Sequence, residues 1–519
     1  MHGHAASKHS LSYEEKVSLL EDRSPSDVES ESGHIDLENR FGLPKWAAFM
    51  SVPVVRSAPW RVVNRLLVFM IPSFLQGRHA REQIRPAKLA PTAYLDGMRG
   101  LAALIVFFCH LFYQAFTIAE SWGTGENNYH FLKLPFIRIF YQGPPAVCVF
   151  FVISGYALSY RPLKLIRSHS YSDLATTMSS LIFRRGIRLY LPTAISTFMI
   201  VCLVRSGAYE LTRDFANDRT YMKNIVEPHP ARMESAYDQW ADWLWQMFEF
   251  IHVFSWNKFG GTTKYDVHLW TIPVEFRCSL YLFLAILGTA RLRTRWRFLT
   301  IAGVMWITYR NCRWELVLFF CGMLIAELDH IRGAHIPPPA LPIEEKLEPS
   351  SMVVTQSKVM PWVWTLTSLV GLYLMCQPDA RGDVAPGWIY LTSLIPPWWN
   401  EEGYRYWQSI GAVIFVFAVG HCPGWQRFFN TAFVQYFGKI SYAIYLMHGP
   451  AMHAVGYHWQ KLAYSYTGVE GYWYNTGFVL GACLVIPTVV WWADVFWRAV
   501  DIPTVKFAKW VETKLIVSA

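Results

Sequence analysis

Charge is scarce in this chain. Asp, Glu, Lys and Arg together make up only 16% of its 519 residues, against about 25% in a soluble globular protein. So thin a polar complement cannot cover the surface of several soluble domains. The nine cysteines form no C-x-x-C pair, and Cys109, Cys148, Cys202, Cys278, Cys321 and Cys483 lie inside apolar runs, where thiols behave as small hydrophobes. A disulfide framework and a cysteine-built zinc site are thereby disfavoured, and no metal is expected. There is no apolar core behind a basic start near the N-terminus, so no cleavable signal peptide is expected. No internal repeat stands out, which weakens a transporter built from inverted repeats.

Apolar and aromatic residues fill the space that charge leaves. Hydrophobic residues make up 53%, with 24 Trp and 27 Tyr, and such amphipathic rings collect at membrane–water interfaces. The reading is an all-α protein, a polytopic transmembrane bundle of about ten helices. Candidate spans cover 98–118, 139–160, 188–206, 268–290, 297–310, 313–329, 359–377, 408–421, 433–451 and 474–497. The net charge of +9 comes from short basic clusters between apolar runs, not from one stripe. The lipid bilayer is therefore an expected partner, and nucleic acid is not.

Charge bias also orients the bundle. Arg161, Lys164, Arg167, Arg184, Arg185 and Arg188 separate the second and third spans, and Arg291, Arg293, Arg295 and Arg297 the fourth and fifth. Both clusters fall on one side if each candidate crosses once, and that side should be cytoplasmic, with both termini. Residues 1–45, acidic and Ser-rich, read as a disordered cytoplasmic tail. Residues 46–90 read as an interfacial or re-entrant segment, 91–500 as the transmembrane domain and 501–519 as a cytoplasmic C-terminal tail. The long 207–267 connection faces the lumen or exterior, and 330–358 is a cytoplasmic loop.

Ionisable groups inside spans are costly, so each is a functional candidate. Arg99 and His110 share the first span, eleven residues apart. That spacing brings them to within about 20° of one helix face, some 16 Å apart along the axis. Arg99 sits at the cytoplasmic mouth, where a guanidinium suits phosphate. His110 sits deep, where an imidazole can act on a hydroxyl. Asp96 can brace Arg99 as an i,i+3 pair. The alternative is a snorkelling arginine and a satisfied core histidine. Glu275 enters its span from the outer side, about 10 Å below that surface, and His448 lies in the outer half near the end of its own span. The three could share a depth, with a structural role favoured for His448. Arg185 and Arg188 share a helix face, as a positive-inside anchor or as a clamp for coenzyme A phosphates. Ser154 lacks a neighbouring base in sequence and is not read as a nucleophile.

At these residues the chain resembles the acyltransferase 3 family of membrane O-acyltransferases, in a fungal-type form. The stretches YLDGMRGLAALIVFFCH, FFVISGYALS, FRRGIRLYLP, HLWTIPVEF and FGKISYAIYLMHGP occur in the family's order. Its Arg-x10-His motif falls on Arg99 and His110, its Arg-x-x-Arg motif on Arg185 and Arg188, and its acidic residue on Glu275. The resemblance implies transfer of an acyl group from acyl-CoA, most often acetyl-CoA, to a hydroxyl-bearing acceptor: a metabolite, lipid or glycan. The donor would enter near Arg99, Arg185 and Arg188, with His110 and Glu275 as catalytic candidates and Asp96 and His448 as support. One departure is that the fourth-span motif offers Glu275 followed by Phe276 rather than by a second acid. The competing readings are a transporter or flippase and a non-catalytic scaffold.

Overall fold

The computed structural model describes residues 66–76, 89–126, 128–253, 261–334, 359–399 and 402–516. The expected disordered tail, the start of the 46–90 segment and most of the 330–358 loop lie outside them. All regular secondary structure among the described residues is helical, with no strand and only an isolated bridge between Thr263 and Asp266.

The helices follow in chain order. α1 is Ala93–Tyr113, α2 Gly143–Arg167, α3 Tyr171–Arg205, α4 Glu210–Asn217 and α5 Ala236–Ile251. Then come α6 Thr271–Thr289, α7 Thr294–Arg310, α8 Trp314–Ile331, α9 Val359–Met375, α10 Arg405–Val419 and α11 Pro423–Phe429. The bundle closes with α12 Ala432–Ala451, α13 Tyr457–Thr467, α14 Gly471–Phe496 and α15 Ile502–Leu515. Local chemistry marks their starts. Ser235 caps α5 by accepting from Asp238 N at 3.0 Å, and a proline opens α2 and α11 where its missing N–H is harmless.

Among the described residues, five helical stretches are long and apolar enough to cross a membrane: α1, α2, α3, Val267–Thr289 and Gly471–Leu515. A sixth exists if α10 and α11, bent by 97°, count as one broken span. The protein is thus an integral membrane protein, with fewer qualifying helices than the ten expected. The difference has a physical cause. α7 and α9 have only 17 residues each, and α8 carries Glu315, Glu327 and Asp329. These acids are buried inside the bundle, and Glu327 is held by Arg297 at 2.7 Å. The C-terminal stretch 502–515 continues as a helix and packs on α3, where Arg184 meets Glu512 at 3.2 Å. Residues 66–76 dock on the end of α14. There Ser73 N donates to Asp494 at 3.1 Å, and Arg498 donates to the Phe69 carbonyl at 2.7 Å.

Small residues set the helix spacing that matters most. A Cβ on Gly100 of α1 would lie 2.3 Å from the backbone nitrogen of Gly438 on α12. One on Gly155 of α2 would lie 2.1 Å from the Phe319 carbonyl oxygen of α8. Backbones approach this closely only where side chains are absent, as in membrane helix pairs generally.

Candidate active site

The close approach of α1 and α12 brings His110 and His448 together. Their rings stack with centroids 5.1 Å apart and planes 29° from parallel. A third imidazole, His268, closes the group, 4.1 Å from His110 and 4.8 Å from His448 between ring centres. His268 is placed by its own local turn. Asp266 caps the 3-10 turn that leads into α6, accepting from His268 N at 3.0 Å and holding its Nδ1 at 2.7 Å.

The carboxylate that meets this group is Glu227, in the connection between α4 and α5. Its Oε1 lies 2.6 Å from His268 Nε2 and 3.7 Å from His110 Nδ1. Its Oε2 accepts from Gln114 and from His453 Nε2, each at 2.9 Å. Glu227 is buried, and burial alone would push its carboxyl upward. The neighbouring His268 and the hydrogen bonds from His268 and His453 outweigh this and hold it well below the usual carboxylate range. His453 itself is carried by a π-helical turn, Met452–Gly456, the kind of irregularity that re-aims a side chain.

Nitrogens of His110, His268 and His448 all lie within 4.8 Å of one another, a spacing at which three imidazoles can hold a metal ion. The donor chemistry does not fit one. Both nitrogens of His268 face carboxylate acceptors, so both carry protons and neither offers a lone pair.

Glu275 stands elsewhere. Its Oε1 pairs with Arg185 at 2.8 Å and accepts from Ser154 Oγ at 3.0 Å. Ser154, without a base beside it in sequence, thus has a carboxylate beside it in space. Arg99 and Arg188 lie within electrostatic reach of Asp501, and Arg99 and Lys439 within reach of Asp96. The structure therefore separates the candidates into two groups. One is the cationic group of Arg99, Arg185 and Arg188 with Glu275, Asp96 and Asp501. The other is the imidazole group of His110, His268 and His448 with Glu227.

α12 connects them. Tyr442 donates to the Leu189 carbonyl at 2.6 Å and feels both Asp501 and Glu275. One turn on, Tyr445 donates to the His268 carbonyl and accepts from Thr271 at 2.7 Å. His448 follows after another three residues, so one helix face runs from the cationic group to the imidazoles. Sequence reasoning passed over Glu227, His268 and His453. His268 opens the quoted HLWTIPVEF stretch, and its capping Asp266 is a readable signal. Glu227 carries none.

The acyltransferase domain of the acyltransferase 3 family matches residues 92–498. The chain belongs to that family. Among curated relatives of this acyltransferase, O-acetyltransferase PaAT-1 of Phomopsis amygdali is 31% identical over 89% of this chain and 91% of its own. Acyltransferase R4 of a Phoma species is 28% identical over 70% of this chain and 83% of its own. Acyltransferase clz18 of Cochliobolus lunatus is 26% identical over 80% and 94%. No solved structure matches the acyltransferase.

Proposed function

We propose that this membrane acyltransferase moves an acyl group, acetyl, from cytoplasmic acyl-CoA to a hydroxyl of a small metabolite, lipid or glycan acceptor. The observation that carries this reading is Glu227 beside Nδ1 of His110. That carboxylate, too far for a direct hydrogen bond, favours a proton on Nδ1 by its charge and leaves Nε2 as the reactive nitrogen. The acetyl group and the oxygen acceptor draw support from the fungal O-acetyltransferase among its relatives.

The bonds balance simply. The thioester C–S bond breaks, a C–O bond forms, and the hydroxyl proton ends on the coenzyme A sulfur. Arg99, Arg185 and Arg188 hold the donor's phosphates on the cytoplasmic side, with both termini on that side too. Glu275 keeps Arg185 extended toward them by its 2.8 Å contact. The tyrosine-lined face of α12 leads the thioester inward to His110.

Metabolite extracts from cells with and without the protein test the activity. The account expects a compound heavier by one acetyl unit only where the protein is present. Unchanged extracts, with substrate moving across proteoliposomes that contain no acyl-CoA, would establish a transporter instead.

A further inference from the structure

His448 has no task in a single-step transfer, yet its geometry is that of a base. It is fully buried. Its Nδ1 lies 3.1 Å from the carbonyl oxygen of Ile444, one turn earlier on α12. A carbonyl only accepts, so Nδ1 carries the ring proton and Nε2 is a bare lone pair. That Nε2 is buried and has no hydrogen-bond partner, an arrangement that is costly unless a ligand donates to it. The neighbouring rings cannot serve. His268 gives both protons to carboxylates, and His110 turns its Nδ1 toward Glu227 and stacks on His448 with its face.

Two stacked imidazoles, each with a reactive nitrogen, therefore stand where one proton has to move. We propose that they divide the reaction: His110 carries the acyl group and His448 deprotonates the acceptor hydroxyl. This rests on the acyl-CoA reading above and adds the order of events. In the first half, His110 Nε2 bonds to the thioester carbonyl carbon and the C–S bond breaks. Coenzyme A leaves as the thiolate and takes a proton from water at the cytoplasmic mouth. Glu227 balances the positive charge of the acylated ring. In the second half, the acceptor oxygen attacks the same carbonyl carbon and its proton passes to His448 Nε2. The C–N bond breaks, its electron pair returns to His110, and His448 gives its proton back to solvent.

The test uses the full chain in detergent with radiolabelled acetyl-CoA and no added acceptor. Wild-type protein should take up label on His110, located by peptide mass analysis, with matching release of coenzyme A. His110→Ala should take up none. His448→Gln should be labelled at the wild-type rate but discharge to water, or to glycerol added after labelling, about 10²-fold more slowly, the scale of a lost general base. A purely structural role would slow both halves together, so the split between them is the readout. Equal discharge by wild type and His448→Gln, or equal slowing of both halves, overturns the proposal. An unlabelled chain whose native membranes still acylate also overturns it, leaving the acyltransfer reading intact. Membranes that acylate nothing from acetyl-CoA overturn that reading itself.

Discussion

Glu227 Oε1 lies 3.7 Å from Nδ1 of His110, although the two belong to a loop and a membrane helix far apart in sequence. The same oxygen holds His268 at 2.6 Å, and its partner oxygen holds His453 at 2.9 Å. One carboxylate thus holds two imidazoles by hydrogen bonds and faces a third.

Glu227→Gln keeps the shape but removes the charge. Acyl transfer should fall by about 10²–10⁴-fold, as when a triad's carboxylate becomes an amide. Initial rates per folded molecule, normalised by size-exclusion recovery, check this. Activity within threefold of wild type would remove Glu227 from the site.

This residue also marks the limit of what the sequence discloses. Arg99 and His110 are readable because one helix carries both, and helical period alone puts them on one face. Arg185 and Arg188 are readable for the same reason. The all-helical membrane character follows from composition. Glu227 lies in a stretch without period, between Val226 and Pro228, and only tertiary packing brings it to His110. Glu275 shows the converse: its place in a span is legible, but its partner, Arg185 on α3, was chosen by packing between helices. Length and hydropathy alone support five or six of the ten expected spans, because hydropathy does not register short helices or internal pairs such as Arg297 with Glu327.

The Arg185–Glu275 contact predicts a donor-side phenotype. Arg185→Ala should raise KM for acetyl-CoA about tenfold with little change in kcat, the mark of lost ground-state binding. Glu275→Gln should do the same, and the double variant should be no worse than either alone, because both act through one contact. Additive losses in a double-mutant cycle would show two independent roles.

Helix spacing gives a third prediction. Gly100→Val puts carbon where Gly438 N already lies, 2.3 Å from the new Cβ. The helices must part, costing about 1–3 kcal/mol and pulling the His110 and His448 rings out of stack. Thermal unfolding in detergent should shift down and transfer should be lost even in the folded fraction. A fully active Gly100→Val would contradict the close α1–α12 contact.

His229, in the same connection as Glu227, predicts a pH dependence. Burial, and then its neighbour His453, push its imidazole down from 6.5 to about 3. The unfolded chain binds this proton near pH 6.5, while the folded protein refuses it until about pH 3. Acidification across that window therefore favours unfolding, and stability is complete only above it. His229→Gln should flatten the fall in melting temperature between pH 6.5 and 4 relative to wild type. An unchanged slope would mean His229 does not titrate in this way.

The most direct measurement is transfer itself in native membranes. Membranes bearing wild-type protein or His110→Ala, at matched abundance, are given radiolabelled acetyl-CoA, and label in extractable acceptor is counted. The account predicts label with wild type and a loss of at least about 10³-fold with His110→Ala, the scale of losing the reacting group of a catalytic unit. Undiminished label with His110→Ala would contradict it.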